Sequence, residues 1–198
     1  MYKIVCITNR SLCEGDFEER IHSIAKSPVD MIILREKDLS CDDYTRLARK
    51  VIEICRETNT QCVLHSFIDS ALKLNHPAIH LPMHVLRGMS SEQRRFFTTL
   101  GASCHSPEEA VEAESYGCTY ITASHIFPTD CKKDLEARGL PFLNKICQTL
   151  SIPVYGLGGI HPDNVSSVLD AGADGICIMS DFMQCKNIRE YLSLIPQN

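Results

Sequence analysis

The segment "ITASHIFPTDCKKD", residues 121–134, places a histidine and two lysines close together in the chain. It begins with apolar and small residues, as a buried strand does, and ends in a polar and charged run. His125 stands near the junction. Its imidazole exchanges a proton near neutral pH, with an unperturbed pKa of about 6.5, so it is a candidate acid/base group. The competing interpretation is a histidine packed in the core. Two small residues before it and a proline-containing loop after it favour a histidine that faces a ligand.

Two later segments, "YGLGGI" and "GICIMS", have the residues of a phosphate site. Glycine lets the bare backbone N–H groups approach an anion closely. In (β/α)₈ barrels, the loops after the seventh and eighth strands commonly bind phosphate. We therefore predict phosphate binding by Gly158, Gly159, Met179 and Ser180. The alternative is that the two glycines only form a tight turn.

Cationic and imidazole side chains also occur where strands are predicted to end. Arg35 and Lys37 could reach the same mouth and attract an anionic substrate. Lys133 is predicted to be solvated surface, and for Lys132 both interpretations stay open. Four histidines lie at or near strand ends and remain candidates for the site: His65, His80, His84 and His105. Three others fall in helix or turn contexts and are predicted to lie at the surface: His22, His76 and His161.

Eight short strand-like segments alternate with helical ones along the chain. They are "KIVCITN", "DMIILREK", "QCVLHS", "AIHLP", "GASCHS", "YITASHIF", "PVYGLGGI" and "GICIMS". Most are apolar through the middle without strict alternation, which is typical of strands buried on both faces. This order predicts an α/β protein, a single (β/α)₈ TIM barrel formed by residues 1–198 as one domain. An open, doubly wound sheet is the alternative.

The intervening helices have recognisable beginnings and ends. Asp42–Thr58 carries apolar residues at helical spacing and acids in its first turn. The segments 106–117 and 161–172 each have a proline near the start, acidic residues behind it and a closing glycine. A weaker helix is predicted from about Ser90 to Phe97.

Composition excludes several classes of protein. The formal net charge of -5 and the scattered basic residues argue against nucleic-acid binding. No apolar run reaches about 18 residues, so we expect no membrane span. The first residues have no leader pattern, so we expect a cytoplasmic protein. The eleven cysteines are an odd number without a CxxC pair, and several lie in apolar strands, so we expect reduced thiols and no metal site.

Several motifs together resemble the thiamine-phosphate synthase family over nearly the whole chain. They are "ILREKD", "GASCHSPEEAVEAESYGCTYI", "HIFPTDCKKDLEARG", "IPVYGLGGIHPDNV" and "AGADGICIMS". In the synthases, an Asn-Asp pair after the third strand and an acid after the fourth hold Mg²⁺ and the pyrophosphate of the aminopyrimidine substrate. This chain has His65 and Ser66 in place of the pair, and Val85 in place of the second acid, while Asp69 persists.

The loop "SHIFPTDCKKDLEARG" is more similar to another branch of the family, the thiazole tautomerases, with their pattern "GHVFxTDCKKG…GRG". The resemblance implies an isomerase that aromatises a thiazole carboxylate phosphate tautomer without a cofactor or metal. His125 would be its acid/base residue. Arg35, Lys37, Ser103 and Lys132 would contact the substrate, and the protein would be a homodimer.

Three other functions remain open. The first is thiamine-phosphate synthase activity itself. The second is a non-catalytic barrel that binds a thiazole phosphate and regulates a partner. The third is a different phosphate-binding barrel enzyme, such as an isomerase of sugar phosphates.

Overall fold

Eight parallel strands close into a barrel in the order in which they occur in the chain. The computed structural model describes residues 2–129 and 135–196. The strands are β1 (Lys3–Ile7), β2 (Met31–Leu34), β3 (Gln61–His65), β4 (Ala78–Pro82), β5 (Thr99–Cys104), β6 (Tyr120–Ser124), β7 (Val154–Leu157) and β8 (Gly175–Ile178). Seven of the eight predicted segments contain one of them, and β5 begins at Thr99, two residues before the predicted segment "GASCHS". The (β/α)₈ prediction is confirmed, and the open-sheet alternative is wrong because β8 pairs with β1.

Helices connect the strands and surround the barrel. In the described part of the chain they are α1 (Phe17–Ala25), α2 (Cys41–Thr58), α3 (Ile68–Lys73), α4 (Met83–Arg87), α5 (Ser91–Phe96), α6 (Pro107–Ser115), α7 (Gly139–Thr149), α8 (Val165–Asp170), α9 (Ser180–Gln184) and α10 (Ile188–Ser193). None of these helices is long and apolar enough to cross a membrane.

The helix ends follow from the residues that cap them. The Ser106 side chain accepts a hydrogen bond from the backbone N–H of Glu109 at the start of α6, as its sequence predicts. Helix α8 begins later than predicted, at Val165, because Asn164 closes a turn before it. The Asn164 side chain accepts from the backbone N–H of His161 and donates to the carbonyl of Gly159. These bonds tie the turn to the end of β7.

Alternation along each strand divides the apolar residues into two cores. One set packs between the sheet and the helices and includes Ile32, Leu34, Leu64 and Ile121. The other set fills the inside of the barrel and includes Val5, Met31, Val63, Tyr120 and Tyr155. Successive side chains of a strand point to opposite faces, so the next inward position toward the carboxyl end of each strand faces the mouth of the barrel. Polar residues occupy these positions on β3, β4, β5 and β6: His65, His80, Ser103 and Thr122.

The cysteines in the strands behave as predicted. Cys6, Cys62, Cys104 and Cys177 are free thiols buried in the protein. Burial raises the pKa of Cys6, Cys104 and Cys177. The hydrogen bond with Cys55, followed by burial, raises the pKa of Cys62. All four thiols therefore stay protonated.

Candidate active site

A cavity of about 270 Å³ opens at the carboxyl ends of the strands, where active sites of this fold lie. Most of the residues predicted to bind a ligand line its wall: Arg35, Lys37, Ser103, His125, Gly158, Gly159, Met179 and Ser180. The structure therefore brings these side chains and backbone segments together in one place. Lys132 and Lys133 lie outside the described residues, so their predicted positions stay predictions.

The histidines left open by the sequence separate into two groups. His65, His80 and His105 line the cavity, whereas His84 is exposed on α4. His65 and His80 are almost fully buried, and their rings stack with centroids 5.7 Å apart. Burial lowers the pKa of His80 to about 3. Burial, followed by the nearby His80 ring and by Arg35 and Lys37 after β2, also lowers the pKa of His65. Both rings are therefore neutral hydrogen-bonding groups at neutral pH.

One wall of the cavity is cationic, and a buried carboxylate organises it. Arg35 and Lys37 line the cavity, while Glu36 between them is 2% exposed. Glu36 accepts a hydrogen bond from the Thr8 hydroxyl at 2.6 Å and two from the backbone N–H of Arg10, at 3.0 and 3.1 Å. The Thr8 hydroxyl oxygen in turn accepts from the backbone N–H of Arg35 at 2.9 Å. This network fixes the backbone from which the two cations project.

The wall formed after β7 is almost bare backbone. Gly158 and Gly159 have φ values of +101° and +63°, a region that favours glycine. A Cβ atom at Gly158 would lie 2.9 Å from the Cα of His125, and one at Gly159 would lie 2.8 Å from the Cβ of Phe127. Within the described residues, neither glycine N–H donates a hydrogen bond to another group. Both donors are therefore available to an anion.

His125 lies in the cavity wall but is already engaged in a hydrogen bond. Its side chain is 3% exposed, and Nε2 donates to the backbone carbonyl of Leu135 at 3.2 Å. Its own carbonyl accepts from the backbone N–H of Arg138. Because a carbonyl can only accept, Nε2 carries a proton. His125 therefore anchors the segment that follows residue 134.

His161 lies at the surface, as predicted. Its side chain is 54% exposed, yet it forms part of the cavity rim. Nδ1 lies 2.8 Å from a carboxylate oxygen of Asp181, and the same oxygen accepts from the Tyr191 hydroxyl at 2.7 Å. The only sequence signal was its place directly after the "GGI" segment. Asp181 comes from a different strand end, so the sequence could not show the pairing.

The described residues do not form a magnesium site of the kind implied by the resemblance. No group of three His, Cys, Asp or Glu side chains in this part of the chain comes together as metal ligands. The position of the synthase Asn-Asp pair holds His65, which is buried and neutral, and Ser66, whose hydroxyl bonds to the His65 ring. Mg²⁺ prefers carboxylate oxygens, which these two residues do not supply. We therefore derive no catalytic step through a metal ion.

Comparison with known proteins gives a consistent result along the whole chain. Residues 4–182 match the family model described as thiamine monophosphate synthase. The thiamine-phosphate synthase of Clostridium acetobutylicum is 32% identical over 195 residues, covering 96% of this chain and 90% of the relative. Thiamine-phosphate synthase 2 of Streptococcus pneumoniae serotype 4 is 28% identical over 192 residues, covering 94% and 90%. The solved structure of thiamine phosphate pyrophosphorylase from Pyrococcus furiosus superposes with a TM-score of 0.84 at 28% identity, covering 98% and 93%.

These findings overturn the prediction of a thiazole tautomerase, and with it the prediction of an isomerase. The relatives that align over nearly the whole chain are named as synthases, which are transferases. The prediction depended on the loop around His125 and on the missing carboxylates of the synthase pattern. In the structure, Nε2 of that histidine is bound to a backbone carbonyl, which gives the residue a structural task that the sequence did not reveal.

Proposed function

The chain belongs to the thiamine monophosphate synthase family, and we propose that it is a thiamine-phosphate synthase. It would join a thiazole phosphate to an aminopyrimidine diphosphate and release pyrophosphate. One observation about the site supports this most directly. The cavity has cations on one wall and free glycine N–H donors on another, which suits two substrates that each carry an anionic group.

The two walls would hold the two substrates in different ways. The backbone at Gly158 and Gly159 would bind the phosphate of the thiazole, with Met179 and Ser180 beside it. Arg35 and Lys37 would bind the diphosphate of the pyrimidine, since guanidinium and ammonium groups pair well with phosphoryl oxygens. Anchoring both anions brings the two rings together in the space between, which lowers the entropic cost of their reaction.

The reaction forms a C–N bond from the thiazole ring nitrogen to the methylene carbon on the pyrimidine ring, as the C–O bond from that carbon to the diphosphate breaks. The diphosphate leaves with the electron pair of that bond, and negative charge develops on its oxygens. Arg35 and Lys37 would stabilise this charge without reorganising, because the Glu36 network already fixes the backbone that carries them. The thiazole ring nitrogen has a lone pair in the neutral heterocycle, so the bond-forming step needs no general base.

The other predicted contacts fit this proposal as ligand-positioning groups. Ser103 on β5 lies between β2 and β7, the strands that lead to the cationic wall and to the glycine wall. Lys132 would reach the diphosphate from the loop after β6. His125 would hold that loop through its bond to Leu135. As in the family resemblance, we expect the working form to be a homodimer.

The test is pyrophosphate release by the purified chain with both substrates and Mg²⁺ present. We expect release only when both substrates are added, with thiamine phosphate formed in equal amount. Arg35→Met should lower kcat by about 10²–10³-fold, the usual cost of removing one group that stabilises developing charge. The matched control is Arg46→Met, which removes an exposed arginine of α2 whose one ion pair among the described residues is with its helix neighbour Asp43. Equal loss in both variants would show that the cation on the cavity wall has no special role.

The missing carboxylate cluster favours one second candidate, a non-catalytic barrel that binds a thiazole phosphate. Such a protein would bind thiazole phosphate in a calorimeter and would release no pyrophosphate at any Mg²⁺ concentration. Absence of both binding and release would contradict both candidates.

A further inference from the structure

Three polar side chains on neighbouring strands form a chain of hydrogen bonds inside the barrel. The Tyr120 hydroxyl on β6 lies 3.0 Å from Nδ1 of His80 on β4. Nε2 of His80 lies 2.8 Å from the hydroxyl of Ser103 on β5. Tyr120 and His80 are each 2% exposed, whereas Ser103 is half-buried and lines the cavity together with His80. The chain of bonds therefore runs from the buried interior of the barrel to the cavity.

The bond between Tyr120 and His80 has to cross β5, and Gly101 makes this possible. Gly101 is the β5 residue in register with both His80 and Tyr120. A Cβ atom at residue 101 would lie 2.6 Å from Nδ1 of His80 and even closer to the Tyr120 ring. Any other side chain at this position would separate the two rings. The bond therefore requires particular residues on three neighbouring strands: His80, Gly101 and Tyr120.

The direction of the two hydrogen bonds follows from the number of donors and acceptors on His80 and Tyr120. Burial lowers the pKa of His80 to about 3, so the ring is neutral and has one donor and one acceptor nitrogen. Among the described residues, the Tyr120 hydroxyl has no hydrogen-bond partner other than His80. If it accepted from His80, its own hydrogen would be buried without an acceptor, which is unfavourable. Tyr120 therefore donates to Nδ1, and Nε2–H donates to the oxygen of Ser103.

We propose that Tyr120 and His80 fix Ser103 as a hydrogen-bond donor to the ligand. The Ser103 oxygen accepts from His80, and its hydrogen has no acceptor among the described residues, so it is left for the cavity. Ser103 would then select an acceptor atom, such as a ring nitrogen or an anionic oxygen of a heteroaromatic phosphate, and disfavour a donor at the same place. The choice of this ligand class rests on the proposed function. Tyr120 and His80 are positioning residues in this arrangement.

Two measurements test the proposal. The first is nitrogen NMR of the histidine rings in the unliganded protein, assigned with His80→Asn. We expect His80 to carry its proton on Nε2 in the wild type and to become a mixture of tautomers in Tyr120→Phe. This readout does not depend on any substrate. A wild-type proton on Nδ1 would overturn the proposal, whether or not the proposed function holds.

The second measurement is the affinity for thiamine phosphate by calorimetry. Tyr120→Phe should weaken binding about fivefold to tenfold, the size of one net hydrogen bond, although residue 120 does not line the cavity. In a Ser103→Ala background the same substitution should have no further effect, because the two changes act through one bond. The matched control is Tyr155→Phe, whose ring packs 5.3 Å from Tyr120 inside the barrel and whose hydroxyl makes no hydrogen bond within the described residues.

The outcomes separate the two proposals. If Tyr120→Phe binds like the wild type or like Tyr155→Phe, or if its effect persists without the Ser103 hydroxyl, the positioning role is wrong. If the wild type does not bind thiamine phosphate, the proposed function fails, and the NMR measurement alone decides the direction of the bonds. Both tyrosine variants are checked for unchanged circular dichroism and urea midpoints, so that a folding defect is not taken for a loss of binding.

Discussion

Acid should destabilise this protein through His80, and the size of the effect follows from its burial. The pKa of His80 is about 3 in the folded protein, against about 6.5 in an unfolded chain. Between these values the unfolded state binds a proton that the folded state does not, so stability is lost as pH falls below the unfolded pKa. At about pH 4.5 the unfolded histidine is two units below its pKa. At about 1.36 kcal/mol per unit, this group alone lowers the free energy of unfolding by about 2.7 kcal/mol.

The assay is urea denaturation at several values between about pH 7 and about pH 4.5, followed by circular dichroism because the chain has no tryptophan. Three proteins are compared: wild type, His80→Asn and the control His84→Asn, which changes an exposed histidine of α4. We expect His80→Asn to be less stable at neutral pH, because the Tyr120 hydroxyl loses its buried partner. On acidification it should lose about 2–3 kcal/mol less than the wild type.

The control should follow the wild type throughout this range. His65 also has a lowered pKa and adds an acid-dependent loss of the same sign. Because the His80 ring is one cause of that lowering, His80→Asn also removes part of the His65 loss, which adds to the expected difference from the wild type. If wild type and His80→Asn lose equal stability on acidification, the His80 ring is protonated in the folded state. The derivation of the hydrogen-bond directions would then be refuted as well.

Three further predictions concern other parts of the site. Glu36→Ala leaves the Thr8 hydroxyl and the backbone N–H of Arg10 without their acceptor. It should lower the free energy of unfolding, measured in urea, by about 2–4 kcal/mol. A loss under about 0.5 kcal/mol would show that water replaces the carboxylate. Gly158→Ala should lower the free energy of unfolding by at least about 1 kcal/mol more than Gly15→Ala. Both glycines have a positive φ, but only the Cβ added at residue 158 would clash with other atoms. Equal losses of stability would mean that the residues around Gly158 move to make room for the Cβ. Asp181→Asn removes the charge that holds His161 and should change the affinity for inorganic phosphate by about threefold to tenfold, measured by calorimetry; unchanged affinity would place the pair outside the phosphate site.

Much of the fold could be predicted from local patterns. The eight strand segments were predictable because a strand buried on both faces is a short apolar run, and the runs alternate with capped helices. Helix α5 was found with its capping box formed by Ser90 and Gln93, close to the weak helix predicted there. The start of α8 was missed, because Asn164 bonds to the end of the preceding strand, and that contact is not a local pattern.

The location of the site was also predictable, but its chemistry was not. Residues at the carboxyl ends of parallel strands meet at one mouth, and this rule placed Arg35, Ser103 and Gly158 together correctly. The tautomerase prediction failed because it gave one loop and the missing carboxylates more weight than the agreement of nearly the whole chain with synthases. The bond between His125 and Leu135 could not be inferred, since it depends on how the chain folds back after an intervening loop.

The sequence by itself determined the barrel, the order of its strands and the end at which polar residues collect, because these depend on patterns within single elements. Only the tertiary structure decided which polar groups pair: Tyr120 with His80 across Gly101, and His161 with Asp181. Such pairs depend on the register between strands that are far apart in the chain. Hydrogen bonds form only within about 3.5 Å, so a shift of one residue in that register would break each of them while leaving the pattern of every strand unchanged.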